Sequence, residues 1–188
     1  MFGIRRCSLL FGIRHQGIGP VDDVNERNRP KADIRDCINP KFINKLMTTI
    51  LQDVVDTAKR AVETFHDRSS GRLNFSENSL SIVEEMLAEA SGYIDEMSQS
   101  ETSSLVKLFG CYVLEVARTR YGGEYEWLDE KRGPVLVVGE PETHIAIATW
   151  ARIRSRLSGD PADNIPFFYR GFSAMASTLP NGKRTLFV

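Results

Sequence analysis

The sequence predicts an α+β domain: a layer of three helices packed on a small antiparallel sheet, followed by two short C-terminal helices. Three observations predict it. Between residues 48 and 117 apolar side chains recur at helical spacing; after Gly122 and Gly123 the period falls to that of a strand; from Thr149 it returns to helical. Switches of period of this kind separate layers of secondary structure rather than domains.

The first helix is expected from Thr48, with Leu51, Val54, Val55, Ala58, Val62 and Phe65 on one face and Gln52, Asp56, Lys59, Arg60 and Glu63 on the other. Ser69, Ser70 and Gly71 end it. Ser76 is the expected N-cap of the second helix, with Phe75 and Leu80 as a hydrophobic staple and Glu77 set against the helix dipole. Its core face reads Leu80, Val83, Leu87, Ala90, Ile94 and Met97. Ser100 or Thr102 is expected to cap the third helix, which organises the chain. There Leu105, Phe109, Tyr112, Val113 and Val116 form one stripe, widened by Val106, Leu108, Leu114 and Ala117 to well over half the circumference. A helix so apolar must be surrounded. Its narrow polar stripe holds Lys107, Cys111, Glu115 and Arg118, and Gly110 leaves a notch where another backbone could approach. With short links, the three helices are expected to lie antiparallel to one another.

Gly122 and Gly123 stop that helix, and strands follow over 125–128, 135–138 and 144–148, joined by turns at 130–133 and 139–142 as a meander. Thr149 is the expected cap of a helix over 150–157, ended by Gly159. The last helix is expected to start near Asp163, because Pro166 would kink one begun at Asp160. Ile165, Phe168, Phe172 and Met175 give it an apolar edge, and the tail after it is expected to be loose.

The 188 residues divide by charge. Residues 1–46 carry nine Lys and Arg against five Asp and Glu, a net +4, whereas residues 47–188 carry fifteen against twenty, a net −5. The first stretch is polar and proline-punctuated after a repeated FGIR at 2–5 and 11–14, and is expected to be a disordered extension or the product of a mis-assigned start, with Met47 as the initiator. Residues 47–188 are then a single α+β domain. Its acidity argues against nucleic acid as the partner and leaves room for a basic protein. Cys7, Cys37 and Cys111 lack metal-type spacing, as do His15, His66 and His144, so no metal or cofactor is expected. Reduced cysteines, no apolar run of membrane-spanning length and no cleavable leader pattern are the marks of a cytoplasmic protein. The oligomeric state is not legible.

P-loop, nucleophile-elbow and zincin motifs are absent from the sequence. Glu115, at the edge of the buried stripe, is the polar position of most interest. It suits either an ion pair with Arg118 or another cation, or a general base of raised pKa. Arg120 falls among Phe109, Val113 and Val116 and needs a carboxylate partner or an escape to solvent near the helix end. Arg152, Arg154 and Arg156 alternate along a helix, so they read as a solvated face rather than a phosphate clamp. Tyr125, Trp127 and Trp150 either fill the space between sheet and helix or form an aromatic platform for a partner. The expected binding residues are Tyr112, Glu115, Arg120, Tyr125 and Trp127; none is assigned a catalytic role.

In order, Gly110, Tyr112 and Glu115, then Gly122, Gly123 and Trp127, and later Arg156, Gly159, Asp160, Phe168 and Tyr169 make the chain resemble an uncharacterised bacterial domain family of unknown function. Its helix reads Gly-x-Tyr-x-x-Glu and is followed by roughly Gly-Gly-x-x-Trp, here with three residues between Gly123 and Trp127, then a short sheet and an Arg-rich segment. The resemblance spans about 47–172 and departs at Leu114, where a glycine is expected. It implies the fold and no activity. Two functions are therefore expected in competition: a cytosolic, non-catalytic protein-binding module of adaptor or immunity type, and a small enzyme with Glu115 as general base in a helix-sheet pocket.

Overall fold

A computed structural model describes residues 40–188, with side chains from Thr48 onward. The chain is α+β. Among the described residues six helices, α1 (Pro40–Thr64), α2 (His66–Ser69), α3 (Leu80–Ser91), α4 (Gln99–Tyr121), α5 (Trp150–Leu157) and α6 (Ile165–Thr178), accompany a four-stranded sheet of β1 (Glu124–Asp129), β2 (Gly133–Val138), β3 (His144–Ala148) and β4 (Arg184–Phe187). Short 3-10 turns lie at Glu77–Ser79, Ile94–Glu96 and Pro161–Asp163.

α4 runs through the core, with every residue from Leu108 to Ala117 buried. It starts at a capping box on Ser98, not at Ser100 or Thr102: the Glu101 amide donates to Ser98 Oγ at 3.2 Å, and the Ser98 amide to Glu101 Oε2 at 2.8 Å. α1 lies along α4 and reaches β1. It begins at Pro40, so residues 40–46, expected within the extension, are helical, and the helix runs through Met47. The rest of the extension, with its FGIR pair, Cys7, His15 and Cys37, lies outside the described residues.

α3 departs from the expected helical layer. Its main neighbours are α5 and α6. Glu84 shows why: its Oε1 accepts from Arg156 Nε at 2.6 Å while Oε2 accepts the Ile165 amide at 2.9 Å, so one carboxylate ties α3 to both C-terminal helices. Arg156 is 7% exposed, which overturns its reading as part of a solvated face. Arg152 also pairs, with Asp163, and its guanidinium lies 4.8 Å from the Phe168 ring centre. Ser76 does not cap α3. It is extended, its hydroxyl bonds Asn74 Oδ1, and a 3-10 turn precedes the helix. Phe75, at φ 60, stacks on Tyr112 at 5.0 Å.

The sheet order is β1-β2-β3-β4. The first three strands are the expected antiparallel meander, with Tyr125 opposite Leu136 and Val137 opposite Ala146. The tail is not loose. After α6 it pairs with β3 in parallel, Ile145 opposite Thr185, because the chain must cross back over the sheet before reaching it. Phe187 then packs against Phe172 of α6. α6 starts in two steps: Asp160 caps the 3-10 turn, and Asn164 caps the helix by accepting the Phe167 amide at 2.9 Å, so Pro166 sits in the first turn where its missing N–H costs nothing.

Candidate functional site

The notch at Gly110 receives a side chain, not a backbone. The Trp150 indole lies across it, and a Cβ on Gly110 would stand 2.9 Å from Nε1 and nearer still to Cδ1. Gly133 closes the other side: at φ +68 it leads into β2, and a Cβ there would stand 2.5 Å from Cε3. Thr149 fixes the start of α5 over this slot by donating its hydroxyl to the Gly110 carbonyl at 2.9 Å instead of capping the helix. Trp150 is consequently 7% exposed.

Trp127 stands edge-on to it, ring centres 5.8 Å apart and planes at 89°. It pairs with Pro134 just before the β1 bulge and is 50% exposed. These two rings form one wall of a cleft of about 450 Å³. α1 supplies the facing wall, because Ile50, Asp53, Val54 and Thr57 fall on one side of a helix, and Lys107 and Cys111 of α4 complete the lining. Asp56 and Arg60, both exposed, also line it. The site therefore mixes an accessible aromatic surface with two carboxylates and two cations. The sequence reading named Trp127 but none of the α1 or Lys107 contributions.

Cys111 is 4% exposed. Burial pushes its thiol up to about 12, partly offset by the Trp150 indole and by Lys107. It stays protonated at neutral pH and is a poor nucleophile.

Glu115 does not line this cleft. It is 7% exposed, and both of its oxygens are engaged: Arg118 donates from Nη2 to Oε1 at 2.6 Å and from Nε to Oε2 at 3.0 Å, and the Tyr125 hydroxyl donates to Oε2 at 2.8 Å. This is a clamp between α4 and β1. Burial, then the Glu115 charge, pushes the Tyr125 phenol upward, and Glu115 likewise strengthens the hold of Arg118 on its proton.

The five expected binding residues do not converge. Tyr112 is fully buried; its hydroxyl accepts the Phe75 amide at 3.0 Å and shares a proton with Ser79 Oγ at 2.6 Å, holding the 3-10 turn before α3. Tyr125 is buried in the Glu115 clamp. Arg120 escapes to solvent at the end of α4, its guanidinium 6.0 Å from the Tyr121 ring, beside a separate hollow shared with Glu77 and Thr119. Of the five, Trp127 alone lines the cleft below Trp150, and it is half exposed there.

No protein-family model, curated protein or solved structure matches the chain. Among the described residues no group of three His, Cys, Asp or Glu side chains is placed to hold a metal, and no helix is long and apolar enough to cross a membrane.

The buried phenols and thiol make alkaline pH the vulnerable side. Cys111, Tyr112, Tyr125 and Tyr169 all have folded pKa values above their ordinary 9.0 and 10.0, burial being the first cause in each. Below about pH 8 both states hold these protons; above it the unfolded chain releases protons that the folded chain keeps, so stability falls. Urea unfolding is expected to show a loss of about 2 to 4 kcal/mol between about pH 8 and about pH 10.5. In Cys111→Ser the onset should move up by about one pH unit, to the tyrosine range.

Proposed function

We propose that this chain is a non-catalytic, cytoplasmic protein-binding module of adaptor or immunity type, and that the Trp127 cleft receives a basic segment of its partner. The observation that carries this reading is Trp127: a half-exposed tryptophan on the edge of a fixed second ring, beside Asp53 and Asp56. An aromatic face next to carboxylates suits a Lys or Arg side chain, which gains cation–π attraction and an ion pair together. Tryptophan is also the residue type that most often anchors an interface. Lys107 and Arg60 supply donors for the partner's carbonyls, and the net −5 over residues 47–188 favours approach of a cationic surface. Glu115 as a general base finds no support in this geometry, since Arg118 and Tyr125 occupy both oxygens.

The chain contains two tryptophans, and both line the cleft, so intrinsic emission reads the site directly. Titrating the full chain with Arg-rich and Lys-rich decapeptides is expected to give a saturable emission change that weakens with salt, with an acidic decapeptide silent. Trp127→Ala should abolish the response, followed on the remaining Trp150, and cost under about 1 kcal/mol of stability because half the ring is already in water. Equal responses to basic and acidic peptides, or binding that survives Trp127→Ala, would overturn the proposal.

A further inference from the structure

The charges around the Trp127 cleft are balanced and open. Asp53, Asp56, Arg60 and Lys107 line it and are all exposed, and among the described residues none of the four is in an ion pair. Two carboxylates and two cations in one opening sum to zero. A segment that brings only positive charge satisfies the carboxylates but is opposed by Arg60 and Lys107. A segment that brings one charge of each sign meets a partner for both.

The order of residues along α1 sets where each sign belongs. Asp53 and Asp56 stand one turn apart, and so do Thr57 and Arg60. The second pair follows the first by four residues, about 6 Å along the helix axis. The α1 wall is therefore polarised, with acceptors in one turn and donors in the next, and Lys107 adds a further donor from α4. A protein chain carries a cationic side chain and a carboxylate on one residue in a single place, a C-terminus that ends in a basic residue. Arginine suits the acidic turn and the exposed indole together, because its planar guanidinium stacks on an aromatic face while its N–H groups engage a carboxylate. The cleft holds about 450 Å³. That is the size of a small-molecule site, which fits the end of a chain better than a strand running through.

On the reading of this cleft as a partner site, on which the inference rests, we propose that its occupant is the partner's C-terminus, ending in arginine. The terminal guanidinium lies on Trp127 between Asp53 and Asp56, and the terminal carboxylate accepts from Thr57, Arg60 and Lys107. Arg60 and Lys107 then set specificity: they reject a basic residue that lacks its own carboxylate.

The test is the tryptophan emission of the full chain, titrated with three Gly- and Ser-rich decapeptides that each contain one arginine. One has it last with a free carboxylate, one is the same peptide amidated, and one has it in the middle. Amidation makes the peptide more positive by one charge, so attraction to the net −5 of residues 47–188 alone favours the amide. The free acid is instead expected to bind about tenfold more tightly than either of the others. Arg60→Gln with Lys107→Gln, both at exposed positions, should bring acid and amide to within about twofold of each other. Equal or tighter binding of the amide overturns the inference and leaves the basic-segment reading standing, as does a preference for the acid that survives in the double variant. No response to any arginine peptide, the Arg-rich decapeptide included, overturns both. Free arginine binding as tightly as the acid peptide also overturns the inference, assigning the cleft to an amino acid.

Discussion

Gly110→Ala is expected to destabilise the fold by about 3 kcal/mol, lowering Tm by roughly 6 to 12 °C, although it adds one methyl group to a good helix-forming position. The added carbon would stand within 2.9 Å of Trp150 Nε1 and within 3.2 Å of Thr149 Oγ1. Neither neighbour can give way easily. The indole is backed by Gly133 on its other side, and the threonine is held to the Gly110 carbonyl. The variant must push α5 off α4 or turn Trp150 out of its slot. Tryptophan emission should shift to the red along with the loss in Tm. Gly92→Ala is the matched comparison: its φ is −67 and its added Cβ meets only the Glu89 carbonyl at 3.4 Å, so it should change stability by less than about 0.5 kcal/mol. Comparable Tm values for the two variants would mean that the slot is not packed as described.

Glu115→Ala is expected to cost about 2 to 4 kcal/mol in urea unfolding, because it leaves the buried Tyr125 hydroxyl without an acceptor and Arg118 without its carboxylate. The arginine side chain is 34% exposed and can turn to water, so the buried phenol is the larger part of the loss. Glu115→Gln keeps one acceptor for Tyr125 and should cost less, about 1 to 2 kcal/mol. Adding Tyr125→Phe to Glu115→Ala should recover part of the deficit, since it removes the orphaned group. Additive losses in that double variant would show that the two side chains do not act together.

Much of the architecture was legible because it is local. The period changed at Gly122 and again at Thr149, and both breaks stand where the pattern puts them. Leu105, Phe109, Tyr112, Val113 and Val116 needed only helical geometry to be assigned to the core. What escaped depends on partners distant in sequence. Arg156 reads as a surface charge until Glu84, 72 positions away, is brought beside it. The strand in the tail is only four residues long, and nothing in them announces a parallel partner in β3. Of the site, Trp127 was legible as an aromatic on a strand; its cleft was not, because Asp53, Thr57 and Lys107 lie on helix faces whose orientation only tertiary packing sets. Glu115 was read in two ways, and the groups that engage its oxygens are close in sequence, Arg118 one turn away on the same helix and Tyr125 on the strand that follows.

The slot around Trp150 has a kinetic consequence. Its walls come from the middle of α4, the turn entering β2 and the start of α5, three segments that no stretch of chain holds together by itself. The indole cannot find its final surroundings until helix, hairpin and the following helix have all docked. In refolding, the burial of Trp150 should therefore mark the close of assembly, arriving after α4 has formed its helix and after β1 has joined β2.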